Sequence, residues 1–145
     1  MLRFLGVLAL LAIAPLTSAG TIRLAPNQSI NSGIANCDVN AGCTGVIVPA
    51  GTYASFSLNK AISVTGEPGA KVVATTPGTG QGCVISVSGA KVEGLYFDSF
   101  QMAIAPANLG PLSNITIRNN HTYYSQYHLW INGTNWTVEN NNFDR

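Results

Sequence analysis

The stretch HTYYSQYHLWINGTNW, residues 121–136, holds both tryptophans, both histidines and three of the five tyrosines of a 145-residue chain. Aromatic rings that reach solvent offer flat apolar faces on which sugar rings stack, while neighbouring amides and imidazoles meet the hydroxyls. Strand alternation puts Leu129 and Ile131 on the inward side and turns His128 and Trp130 outward, with Tyr123, Tyr124 and Tyr127 on the loop before them. Tyr123, Tyr124, Tyr127, His128 and Trp130 are therefore the candidate carbohydrate-binding residues. The other use of such rings is to cover the side of the fold or to contact a neighbouring subunit.

Acid–base chemistry has fewer carriers. Beyond residue 19 the acidic side chains are Asp38, Glu67, Glu93, Asp98, Glu139 and Asp144. In the repeat described below, Glu93, Arg118 and Glu139 fall in equivalent outward slots, with the two carboxylates about 10 Å apart and a cation between them. That is beyond the roughly 5 Å of a retaining glycosidase and at the far limit of an inverting one. A Glu-Arg-Glu charge ladder that holds coil register is the better use of the three, and no catalytic residue is assigned. No His or Cys set has metal-ligand spacing, so neither metal nor cofactor is expected. Cys37 and Cys43 bracket the turn-rich CDVNAGC and suit a disulfide that closes a short loop, while Cys83 in GCVISVSG reads as a buried thiol.

What positions these residues is a repeat. Asn114-Ile-Thr-Ile-Arg-Asn-Asn120 returns as Asn135-Trp-Thr-Val-Glu-Asn-Asn141, a shift of 21 residues. Val92 with Phe97 can be laid on Ile117 with Thr122 and on Val138 with Phe143, and Val64 fits the same slot one repeat earlier. Short alternating strands punctuated by Gly, Pro and Asn, with no helical period after residue 40, make each repeat one coil of a solenoid. Stacked coils bring equivalent residues about 4.8 Å apart. Asn119 over Asn140 and Asn120 over Asn141 can then form an asparagine ladder; the alternative is exposed turn residues. Ile115, Ile117, Leu129, Ile131, Trp136 and Val138 are expected to form the inward stack of the last two coils.

MLRFLGVLALLAIAPLTSAG has a basic start, an apolar run and small residues before Gly20, the form of a cleaved secretory signal over residues 1–19, with an uncleaved anchor as the alternative. Removing Arg3 leaves six basic against six acidic residues, a net charge of 0. No basic patch remains to meet phosphates, so nucleic acid is not an expected partner. No later segment is long and apolar enough to span a bilayer. Residues 20–44, with Ile30 and Ile34 four apart behind Ser29, read as a cap with one short helix and the cysteine loop, and residues 45–145 as coils. Asn27, Asn114, Asn132 and Asn135 lie in acceptor triplets for glycosylation, as does Asn120, whose ladder position competes with that use.

INSGIANC, GVIVPAGTY and LNKAISVTGEPGAKVV, followed by the coil pattern NITIRNN and LWINGTNWTVENNNF, resemble right-handed parallel β-helix proteins of the pectin-lyase-like superfamily over residues 27–143. The resemblance implies an all-β fold, a right-handed parallel β-helix of about 4–5 coils behind a short N-terminal capping helix. Its enzymes carry paired Asp residues with Gly-His-Gly, an Asp-Pro-His-Glu segment or clustered Asp calcium ligands, none of which occurs here. The expected function is thus a secreted or cell-surface module, non-catalytic, carbohydrate-associated or structural, whose partner is a polysaccharide or cell-surface glycan. VENNNFDR follows the last repeat without an amphipathic segment to cover it, so self-association through the final coil is expected. The alternative is a polysaccharide lyase or hydrolase of the same fold, represented by its N-terminal part.

Overall fold

A computed structural model describes residues 20–107 and 110–145; the expected signal, residues 1–19, lies outside the described residues. The described chain is a parallel β-solenoid of about five turns. Each turn contributes strands to three stacked sheets, here faces A, B and C. Face A takes Gly20–Arg23, Cys43–Val48, Ser63–Gly66, Lys91–Glu93, Thr116–Arg118 and Thr137–Glu139. Face B takes Gly51–Tyr53, Ala70–Val73, Tyr96–Asp98, His121–Tyr123 and Asn142–Asp144. Face C takes Phe56–Leu58, Thr79–Ile85, Phe100–Pro106 and Tyr127–Leu129, and a short pair, Leu112–Ser113 with Gly133–Thr134, closes the last turns.

The register follows the repeat residue for residue. On face A, Val46, Val64, Val92, Ile117 and Val138 are successive partners, and on face B, Val72, Phe97, Thr122 and Phe143 are. Strand side chains alternate across a sheet, so these columns run up the inside of the coil and their neighbours stand outside. Val46, Val64, Val92 and Ile117 are fully buried, with Phe97, Ile85, Ile104 and Ile115 among them. Phe56, Phe97 and Phe100 pack ring to ring at centroid distances of 6.4 and 6.5 Å.

The N-terminal end is closed by the helix Ile30–Asn36. Ser29 caps it, its hydroxyl accepting from the Ser32 amide at 3.1 Å. Ile30, Gly33 and Ile34 face the first coils, and Lys60 Nζ donates to the carbonyls of Ala35 and Cys37, which leave the helix unpartnered at its C-terminal end. A disulfide joins Cys37 to Cys43, and Cys83 is a fully buried free thiol whose pKa burial pushes far up.

The last coil is the exception to burial. Val138 and Phe143 occupy inward columns, yet are 37% and 44% exposed because no described coil lies above them. Ile131, expected inward, is 51% exposed beyond the end of the Tyr127–Leu129 strand, where alternation no longer fixes its side. Trp136 is half-buried and donates from Nε1 to the Leu112 carbonyl at 3.2 Å.

Candidate functional site

The corners of the solenoid decide what the asparagines do. Between faces A and B the chain turns through one left-handed residue per coil: Gly94 (φ 68°), Asn119 (φ 55°) and Asn140 (φ 53°). Asn tolerates this conformation better than most residues with a side chain. Asn119 and Asn140, expected in the ladder, are therefore exposed corner residues, chosen for backbone conformation. The residues that follow, Asn120 and Asn141, point inward and stack, with Asn120 Nδ2 donating to Asn141 Oδ1 at 3.1 Å. Asn120 Oδ1 accepts from the Leu95 amide and Nδ2 donates to the Val92 carbonyl, while Asn141 Nδ2 donates to the Ile117 carbonyl. Asn120 is buried within this network, whereas Asn27, Asn114, Asn132 and Asn135 are exposed; Asn135 Nδ2 also donates to Asn114 Oδ1 at 3.3 Å.

The charge ladder is half formed. Arg118 Nε lies 2.9 Å from Glu93 Oε1, but Glu139, its register partner on the other side, makes no ion pair among the described residues. Glu139 stands exposed on the last coil, where an ion pair contributes little. A separate two-pronged pair joins Arg23 to Glu67 at 3.0 and 2.7 Å across the first coils; the hydrogen bonds from Arg23 hold the Glu67 carboxyl below its usual range.

The expected aromatic platform divides between two faces. Tyr127 and Trp130 stand on face C, 50% and 52% exposed, their rings edge to face at a centroid distance of 6.4 Å. Tyr127 continues an outward column with Met102 and Gln81. Gln81, Met102, Ala105, Pro106, Trp130 and Asn132 line an open cleft of about 260 Å³ beside it. Tyr123 and Tyr124 lie instead on face B and on the corner leading to face C, with rings 4.8 Å apart.

His128, expected outward, points inward. It lies between Tyr127, the partner of Met102, and Leu129, the partner of Ile104, and so shares the slot of Ala103 in the coil below. Two coils below His128, Gly82 holds the same slot, and a Cβ there would lie 2.6 Å from the Ala103 carbonyl and 2.8 Å from the Phe97 ring, so the Phe97 column leaves no room. In the coil above Phe97, Thr122 takes its place in the column, and the imidazole fills the volume released. Nδ1 of His128 shares a 2.6 Å hydrogen bond with Thr122 Oγ1, and its ring stacks on Phe143 at 5.5 Å. Burial lowers the His128 pKa, with a smaller push from Arg145, opposed by Asp144.

Face B carries a group that the sequence reading left out. Lys71, Tyr96, His121 and Asn142 form one outward column, and Val73, Asp98, Tyr123 and Asp144 the next. Lys71 Nζ lies 5.3 Å from the Tyr96 ring centre, and the Tyr96 and His121 rings are 4.7 Å apart. His121 Nε2 lies 2.9 Å from Asp144 Oδ2 but off the line of a hydrogen bond. Burial, with smaller pushes from Asp98, Tyr123 and Asp144, raises the Tyr96 pKa. The signal was present in the repeat for the upper coils, where each residue stands one place from an aligned inward residue, Phe97, Thr122 or Phe143; the Val72 register came only with the structure.

A cleft of about 610 Å³ lies elsewhere, between the approach to the helix and the turn around Pro49–Ala54. Its cation, Arg23, is engaged by Glu67, and the Tyr53 hydroxyl donates to the Pro49 carbonyl, which leaves few free groups to orient a ligand. Among the described residues, no group of three or more His, Cys, Asp or Glu side chains is placed to hold a metal ion, and no helix is long and apolar enough to cross a membrane. The chain matches no family model, no curated protein and no solved structure.

Proposed function

We propose that this chain is an exported, non-catalytic β-helix module that holds a polysaccharide or cell-surface glycan, built on the plan of the pectin-lyase-like superfamily. The fold alone does not choose among the activities such solenoids carry. The observation that carries the reading is the exposed pair Tyr127 and Trp130 beside the face C cleft. Two large rings left half in water present sugar-sized apolar faces. Gln81 and Asn132 at the same cleft supply neutral donors and acceptors for hydroxyls. Replacing Trp130 with Ala is expected to weaken retention on an insoluble polysaccharide about tenfold or more, the loss usual for an aromatic anchor, with an unchanged circular dichroism spectrum. Unchanged retention would assign the rings to packing.

A second reading, a polysaccharide lyase or hydrolase, is favoured by one grouping only. His121 and Asp144 stand beside the Tyr96 and Tyr123 phenols on face B, side chains able to exchange protons with a substrate. Release of unsaturated or reducing ends from uronic-acid polymers, abolished in His121→Ala, would select it over the binding module.

A further inference from the structure

The corner between faces B and C turns through Ser99 (φ 62°) in one coil and Tyr124 (φ 50°) in the next. The other two left-handed corner columns hold only Gly or Asn: Gly94, Asn119 and Asn140 in one, Gly89, Asn114 and Asn135 in the other. A tyrosine in this conformation is strained, and such strain persists where something else requires the side chain. Packing does not require it. Tyr124 is 65% exposed, the most exposed large apolar residue described, and its ring packs edge-on against Tyr123.

Beside that ring lies an open, largely apolar cleft of about 430 Å³ lined by Gly78, Tyr124, Ser125, Gln126 and Arg145. Gly78 has a positive φ of 75°, and nothing stands within 4 Å of where its Cβ would be, so the backbone forms a bare wall. Arg145 makes no ion pair among the described residues. An aromatic face, a free planar guanidinium and the Gln126 amide around one cleft match a sugar ring that carries an oxyanion.

We infer that Tyr124 anchors a second site, separate from the face C cleft, that binds a pyranose bearing a sulfate ester or a carboxylate. The ring of Tyr124 stacks on the apolar face of the sugar, Arg145 pairs with the oxyanion, and Gln126 meets a hydroxyl. The inference shares with the proposed function the glycan nature of the ligand, but makes no use of Trp130.

The test uses the full chain and its Tyr124→Asn, Arg145→Gln and Trp130→Ala variants on immobilised carrageenan (sulfated), alginate (carboxylated) and agarose (uncharged). Retention on carrageenan or alginate is expected to exceed that on agarose, and whichever of the two is held identifies the anion. Tyr124→Asn should weaken that retention at least tenfold while raising the thermal midpoint, because Asn relieves the corner strain. Arg145→Gln should erase the preference for the charged polymer, and Trp130→Ala should preserve it. The inference is overturned by a lower midpoint in Tyr124→Asn, which would make the tyrosine structural. Equal retention on all three polymers, an unaffected Arg145→Gln, or a charged-over-uncharged preference erased in Trp130→Ala would overturn it too. Failure of the face C reading, seen as unchanged agarose retention in Trp130→Ala, leaves the charged-polymer comparison intact.

Discussion

His128 shows how one residue change in a stack is absorbed by another. Thr122 takes the place of Phe97, and the imidazole fills the space while bonding the threonine hydroxyl. Burial favours the neutral ring, so the folded pKa lies below the usual value near 6.5. The consequence for stability has a definite sign. Above about pH 6.5 the ring is neutral in folded and unfolded chains alike, and its ionisation contributes nothing. As pH falls through that value the unfolded chain takes up the proton first, and stability declines until the pH passes the lower folded pKa. As pH is lowered from about 6.5, the thermal midpoint of the wild type is expected to drop by more than that of His128→Gln. Identical pH profiles for the two proteins would rule out the imidazole as the cause.

Each corner asks two things of the chain, and adjacent asparagines answer them separately. Asn119 supplies a left-handed backbone at the surface, which Gly94 supplies one coil below. Asn120 supplies hydrogen bonds inside, to the Leu95 amide, the Val92 carbonyl and Asn141. Asn120→Ala strands buried backbone groups, at about 1–3 kcal/mol for each group left unsatisfied. Asn119→Gly keeps the corner and is expected to change stability by less than about 0.5 kcal/mol, as a surface change away from packing does. Equilibrium urea denaturation of both variants checks the contrast. Equal losses would mean that the two residues do the same work.

Across the whole molecule the same column becomes less valuable toward the last coil. Ile117 is fully buried between Val92 and Val138, whereas Val138 has a neighbour below and solvent above. Ile117→Ala should cost about 2–5 kcal/mol, the range for a buried aliphatic. Val138→Ala should cost well under half as much, because truncating a part-exposed side chain leaves no closed cavity. Denaturation midpoints of the two variants measure the gradient, and a Val138→Ala loss equal to that of Ile117→Ala would show that another coil covers Val138 in solution.

The alignment of Val64, Val92, Ile117 and Val138, and of Phe97, Thr122 and Phe143, was legible in the sequence. A solenoid stacks equivalent residues, and a strand fixes which side each one faces, so a period and an alternation together determine coil, register and interior. The Cys37–Cys43 bridge was legible for a similar reason, since both cysteines lie on one short loop. Tertiary structure alone decided what depends on a neighbouring coil or on a corner. Alternation counted His128 as outward, but the bend that admits Gly82 and Ala103 to the interior, and the room above Phe97, turned it in. The run of tyrosines read as one platform, but the corner at Tyr124 sent Tyr123 to one face and Tyr127 to another. A repeat specifies which residues share a column; the angle of each corner and the volume left by the coil below specify where a side chain can go.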